Sequence, residues 1–368
     1  MSETVAGAGL GAELQQLLAR RTEANERFFS AEAERIARLC REMAQRFLRG
    51  GRLLAIGRSP QAWSDAHHVA VEFVHPVIVG KRALPALAVE RAEAAELAEA
   101  EDMVISFEPL TVSAGGEWTF EPSSDDPFVR QELGETLYHV LWELVHVFFD
   151  HLGGSRAGAG ASAFLYPFLD EQEGGIEDVV EDVRQSVLMK VEEVAELRLQ
   201  TLEEGSEALT AGAAALRSAL DAGGTLLVFG NGGSATDAMD AVADFRAAPQ
   251  RWPHRRALDL AADSAILTAL ANDIGPEVLF ARQVIAYGRK GDVALALSTS
   301  GNSRNVVDAL AEARQRDLAT IAFVGYDGGR VAAERLADHV VVTPSEHIPR
   351  IQEAQATGYH LLRELVEA

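Results

Sequence analysis

Four side chains in the first half of the chain are of types that bind metal or move protons. His68 and Glu72 stand four apart in Asp65-Ala66-His67-His68-Val69-Ala70-Val71-Glu72, which places one a turn above the other on a helix. Gln131 and His139 stand eight apart in a second run, Gln131 to Phe149, that also reads as a helix. An imidazole pair with a carboxylate suits a divalent ion such as zinc, and Asp, Glu and His are the types that perform general acid–base work. The second half offers something different. Gly230-Asn231-Gly232-Gly233-Ser234 reads as a turn between a strand and a helix, where backbone N–H groups and the positive helix end face an anion. Ser298, Thr299, Ser300 and Ser303 put four hydroxyls in a second loop. Helix caps account for one or two of these, not the set. Two such loops are what a phosphorylated sugar needs.

The elements around these residues follow from apolar patterning. Leu226 to Phe229 and Val293 to Leu297 read as buried parallel strands, each delivering one of the loops at its carboxyl end, where ligands sit in an open α/β sheet. Helices follow both loops, one through Asp237, Met239 and Phe245, the other through Val306, Leu310 and Ala313. Residues 11–49 read as two helices, the second stopped by Gly50-Gly51. A helix starting within Asp170–Glu181 is expected to reach about Leu202, with another over Leu209–Leu220; Val187, Val191, Val194 and Leu197 form an apolar stripe on the first.

The chain also repeats itself. Gly50-Gly51-Arg52-Leu53-Leu54-Ala55-Ile56-Gly57 mirrors Gly223-Gly224-Thr225-Leu226-Leu227-Val228-Phe229-Gly230, and Arg82-Ala83-Leu84 echoes Arg256-Ala257-Leu258. The expectation is two copies of one domain: 1–151, a linker over 152–175 with small residues and the aromatics Phe164, Tyr166 and Phe168, then 176–368. In the first copy Arg58-Ser59-Pro60-Gln61 replaces the glycine turn, and proline removes an N–H donor, so the nest is expected to be lost. The strand Met103 to Phe107 leads into Glu108-Pro109-Leu110, a carboxylate where phosphate would be repelled. The βαβ portion found at 304–343 is absent from this copy.

These motifs, with Asn272-Asp273, Arg350-Ile351-Gln352-Glu353 and His360, resemble the sugar isomerase (SIS) domain, and within it the phosphoheptose isomerases, over about 180–368. The resemblance implies an α/β fold of two SIS-type domains, each a flavodoxin-like parallel sheet between helices, with N-terminal helices in a bundle. It implies phosphate and substrate binding by Asn231, Gly232, Gly233, Ser234, Asn272, Asp273, Ser298, Thr299, Ser300, Ser303 and Gln352. It implies a metal held by His68, Glu72, Gln131 and His139 in the first copy. In the second copy Asp240 and Asp244 stand where the family has its metal histidine and glutamate, which sets metal binding there in question. Catalysis is expected from Glu72 or Asp244 as base and His139 or His360 as acid. The chemistry is aldose–ketose isomerisation through an enediol, with sedoheptulose 7-phosphate as the implied substrate. Family sites lie at subunit interfaces, so working sites are expected to mix residues of both copies in a homo-oligomer, a dimer of tandem chains. Two other readings remain open: a regulator that binds a sugar phosphate without turnover, and a structural scaffold.

Composition bounds these readings. A length of 368 residues suits two domains. A net charge of −23 argues against a nucleic-acid surface. The single cysteine, Cys40, allows no intrachain disulfide. With no signal-type start and no apolar stretch near ~20 residues, the expectation is a cytoplasmic chain with no membrane partner.

Overall fold

A computed structural model of the chain describes residues 11–76, 81–152, 176–248 and 252–368. The expected linker beyond Leu152, with its three aromatic residues, lies outside these ranges. The chain divides into two compact units, Thr22–Glu193 and Val194–Ala368, the latter joined by the chain's start as far as Arg21.

The C-terminal unit is built on β6 (Leu226–Phe229), β7 (Ala257–Asp259), β8 (Val293–Ser298), β9 (Ala319–Gly325) and β10 (His339–Thr343). The order is β10-β9-β8-β6-β7 and every pairing is parallel. That is the flavodoxin-like order, with the switch in direction between β6 and β8. All residues of β6 and β8 are buried, as continuous apolar runs require of strands covered on both faces. The connecting helices are α6 (Gly233–Arg246), α7 (Ser264–Asp273), α8 (Ala281–Tyr287), α9 (Arg304–Gln315) and α10 (Gly329–Ala333), and the unit closes with α11 (Ile348–Glu367).

The N-terminal unit carries β1 (Leu53–Ile56), β2 (Ala86–Ala88), β3 (Met103–Phe107), β4 (Leu110–Ser113) and β5 (Glu117–Thr119), in the order β2-β1-β3-β4-β5. The first three strands are parallel; β4 and β5 run antiparallel where the other unit has further βα units. Helices α2 (Pro60–Val74), α3 (Arg91–Leu97) and α4 (Pro127–Leu152) belong to it.

The same hydrogen bonds recur in both units. Gly50 N–H to Phe47 O and Gly51 N–H to Arg46 O end one helix; Gly223 N–H to Leu220 O and Gly224 N–H to Ala219 O end another. Both are the paired closure in which a glycine takes positive φ, +92° at Gly50 and +86° at Gly223. Asp102 then accepts from Arg52 N at 2.7 Å, and Asp292 from Thr225 N at 2.8 Å. Leu53 N donates to Pro85 O as Leu226 N donates to Arg256 O. Pro85 therefore matches Arg256, and the Arg-Ala-Leu echo at 82–84 is out of structural register by three residues.

Two helix expectations need correcting. Residues 11–49 hold one helix, α1 (Ala12–Leu48), since no glycine or proline interrupts it. Residues 176–221 also form one helix, α5 (Ile176–Asp221), through the expected break near Gly205. A Cβ on Gly205 would lie 2.9 Å from Val341 Cγ1, so the glycine serves close approach to β10 instead of ending the helix. Each long helix serves two cores. Leu14 and Leu18 of α1 pack with Leu202, Leu209 and Leu216 in the C-terminal unit. Val179, Val183, Val187 and Val191 of α5 pack with Phe28, Phe29 and Met43 in the N-terminal unit. Among the described residues no helix is long and apolar enough to cross a membrane.

Candidate functional site

In the C-terminal unit, paired β6 and β8 bring the loops at 230–234 and 298–303 side by side at the switch point. A Cβ on Gly230 would meet Ser234 O at 2.3 Å, so the turn closes only around glycine. Gly232 takes φ +58°, the conformation that favours glycine, and α6 begins at the next residue. The first N–H groups of a 14-residue helix therefore face this loop. In the second loop Ser298 Oγ accepts from Gly301 N at 3.1 Å and Ser300 Oγ from Asn302 N at 3.2 Å. Thr299 and Ser300 are half-buried, and Ser303 caps α9 by position without a side-chain bond. The two loops are tied together by a reciprocal amide pair: Asn231 Nδ2 donates to Asn305 Oδ1 at 2.9 Å, and Asn305 Nδ2 to Asn231 Oδ1 at 2.8 Å. Asn305 was not among the expected residues; an asparagine early in a helix carries no distinct sequence signal.

The same helix leads from the cradle to a buried cluster. Asp240 lies six residues beyond Ser234, ~9 Å of helix rise, and Asp244 one turn further. His360 of α11 meets both: its Nε2 lies 3.4 Å from Asp240 Oδ2 and 3.4 Å from Asp244 Oδ2. Tyr359 donates its hydroxyl to Asp240 Oδ2 at 2.8 Å. Gln352 is buried two turns earlier on α11. Asn272 and Asp273 lie at the exposed end of α7, where Asn272 Nδ2 donates to Asp273 Oδ1 at 2.7 Å.

The N-terminal unit repeats the cluster with different donors. His68 and Glu72 of α2 and His139 of α4 are buried, with ligand atoms all within 4.8 Å of one another. His68 Nε2 lies 3.8 Å from Glu72 Oε1, and His68 Nδ1 is 3.0 Å from the Tyr138 hydroxyl. Burial, then His139, holds His68 well below the usual imidazole value, so it is neutral, the form that ligates. Burial pushes Glu72 up to about 7, against the pull of His139 and with a further push from Glu143. The Glu72 Oε2 atom is buried and, among the described residues, meets no hydrogen-bond donor. An orphaned carboxylate oxygen beside two imidazoles fits a divalent cation. The trio forms without Gln131, which is half-buried ~12 Å of helix rise before His139.

The cradle of this unit is not bare. Glu108 Oε2 accepts from Ser59 N at 3.0 Å and Arg58 N at 3.3 Å. Beside the donor lost at Pro60, two N–H donors remain in Arg58-Ser59-Pro60-Gln61, and the chain's own carboxylate takes them. The turn is also one residue longer, since a Cβ on Gly57 would strike Ala62 O where Gly230 faces Ser234 O.

The chain matches the SIS domain family over residues 191–325. It is 39% identical over 187 residues to a phosphoheptose isomerase of Thermodesulfovibrio yellowstonii, covering 50% of this chain and 92% of that protein. It is 43% identical over 177 residues to a phosphoheptose isomerase of Aquifex aeolicus, covering 48% and 91%. The C-terminal domain of glucosamine-fructose-6-phosphate aminotransferase from Francisella tularensis has a TM-score of 0.57 with 95% of each chain covered; at 9% identity this is a likeness of fold alone.

Proposed function

The chain belongs to the phosphoheptose isomerase family of SIS-domain proteins, and from that premise we propose that it interconverts sedoheptulose 7-phosphate and a heptose 7-phosphate through an enediol. The observation that carries this reading is the course of α6, which starts at the anion cradle and two turns later holds Asp240 and Asp244 against His360. A phosphate held by the turn at 231–234 and the hydroxyls of Ser298, Thr299, Ser300 and Ser303 supplies binding energy far from the reacting carbons. A sugar chain laid along α6 then brings its carbonyl end to the buried cluster. Asp244 takes the proton from the carbon next to the carbonyl, and His360 delivers one to the oxygen or the neighbouring carbon. Gln352, Asn272 and Asp273 complete the proposed substrate set. In the N-terminal unit His68, Glu72 and His139, with Gln131, would hold a divalent metal, zinc being the ion their donors suit; a bound metal polarises a carbonyl. The tandem arrangement, a homo-oligomer and Glu72 with His139 as the alternative base and acid are part of the same proposal.

Asp244→Asn and Glu72→Gln, assayed side by side on sedoheptulose 7-phosphate with zinc supplied, test it. Asp244→Asn is expected to lower kcat by about 100-fold or more, the usual contribution of a positioned base. A chain that binds the sugar phosphate and never converts it overturns the isomerase reading. Loss confined to Glu72→Gln moves the base to the N-terminal unit.

A further inference from the structure

We propose that Asp240, Asp244 and His360 form a second divalent-metal site, distinct in preference from the His68–Glu72–His139 site and far more tolerant of a hard ion such as Mn2+. The three side chains are 5%, 1% and 0% exposed, so a cation there is shielded from solvent. The two N···O separations are both 3.4 Å. That is beyond the usual 2.7–3.2 Å of an N–H···O bond. It equals the edge of a coordination tetrahedron with bonds of about 2.1 Å, roughly 3.4 Å. His360 Nε2 is spaced from each carboxylate as one ligand is from another, and one ligand atom from each of the three residues lies within 4.8 Å of the others.

The support around the ligands is repeated as well. In each unit a tyrosine immediately precedes the histidine and hydrogen-bonds the first residue of the i, i+4 pair: Tyr138 on His68 Nδ1 at 3.0 Å, Tyr359 on Asp240 Oδ2 at 2.8 Å. Such a contact to a ligand fixes its orientation. What differs is the donor set. The N-terminal trio has two nitrogens and one carboxylate; the C-terminal trio has one nitrogen and two carboxylates. Two carboxylates neutralise a divalent charge in a buried site, whereas one leaves it half-compensated. Oxygen donors suit Mn2+ and Mg2+; imidazole pairs suit Zn2+. Any such site still binds Zn2+ more tightly than Mn2+ in absolute terms, so the property specific to this chain is the gap between the two ions. The proposal concerns binding and is read from affinity, not turnover; it stands apart from the acid role of His360, since an Nε2 that ligates a metal holds no proton to deliver.

The test uses the full chain stripped of metal. Mn2+ is titrated and followed by electron paramagnetic resonance; Zn2+ affinity is measured by competition with a chromophoric chelator. His139→Gln leaves the C-terminal trio as the intact site, and Asp244→Asn leaves the N-terminal one. The Zn2+/Mn2+ affinity ratio is expected to be about 10-fold or more smaller in His139→Gln than in Asp244→Asn. His360→Gln should weaken Mn2+ binding as Asp244→Asn does, and Tyr359→Phe should weaken it about 10-fold while leaving the ligands in place. The unmodified chain gives a readout independent of variant folding: bound Mn2+ should show hyperfine coupling to one imidazole nitrogen. Equal ratios in the two variants, Mn2+ binding untouched by Asp244→Asn, or coupling to two nitrogens or none overturns the proposal.

Discussion

Single carboxylates in this chain are set apart by what surrounds them. Asp259, at the carboxyl end of β7, is pushed by burial up to about 6, with the N–H of Ala261 opposing the rise through a 2.7 Å bond. Between its ordinary value near 3.8 and about 6, the unfolded chain has released a proton that the folded chain keeps. Stability therefore falls as pH rises through that window and levels off above it. Asp259→Asn keeps an acceptor for Ala261 and removes the penalty. It is expected to stabilise the chain by about 1–2 kcal/mol near neutral pH, after discounting for partial exposure, and by nothing below about pH 4. Denaturant melts at the two pH values check this; an equal effect at both refutes the ionisation account. Sequence showed at this scale which types could act. His68, Glu72, His139 and His360 were recognisable because imidazoles and carboxylates at helical spacing stand out. Tyr138 and Tyr359 were not, because a tyrosine beside a histidine looks like any aromatic in a core. Glu108 was seen as a repelling charge, and only the fold reveals that the backbone N–H groups of Arg58 and Ser59 bind it.

At the scale of elements, strands and their loops were the most legible part, since β6 and β8 are uninterrupted apolar runs ending in small residues. Helix breaks were the least legible. Gly205 falls in the break expected between Leu202 and Leu209 and instead permits contact with Val341, a tertiary demand that no local pattern announces. The clasp between the two cradle loops belongs here too. Asn305→Ala removes both amide bonds to Asn231, leaving each loop to find its own position. The expected result is a KM for the sugar phosphate raised about 10-fold with kcat changed less than about 3-fold. A matching fall in kcat would mean that the clasp also positions the reacting end. In the other unit Glu108→Ala strips the carboxylate from the start of α2. A small drop in melting temperature with unchanged turnover is expected, since the charge serves the helix start alone. Lost turnover would show that this turn takes part in the reaction.

For the whole molecule, the repeat was visible as Gly-Gly followed by an apolar strand, and the hydrogen bonds of Asp102 and Asp292 carry it further than identity does. The division of the chain was not legible. Composition marks the small-residue stretch after Leu152 as the boundary, yet packing assigns residues 176–193 to the N-terminal unit and the start of α1 to the C-terminal one. A fragment of residues 176–368 would expose Val179, Val183, Val187 and Val191 and lack Leu14 and Leu18. Expressed separately, 1–152 and 176–368 are expected to aggregate, and co-expression should recover soluble material. Soluble, independently folded halves would contradict the packing.

That exchange of staves also binds each half to the other's chain segment. Deleting residues 1–152 would take Leu14 and Leu18 out of the core they share with Leu202, Leu209 and Leu216 in the C-terminal unit. Trimming at the small-residue stretch therefore cannot release either unit whole, because the valine row of α5 belongs to the N-terminal core and the start of α1 to the C-terminal one.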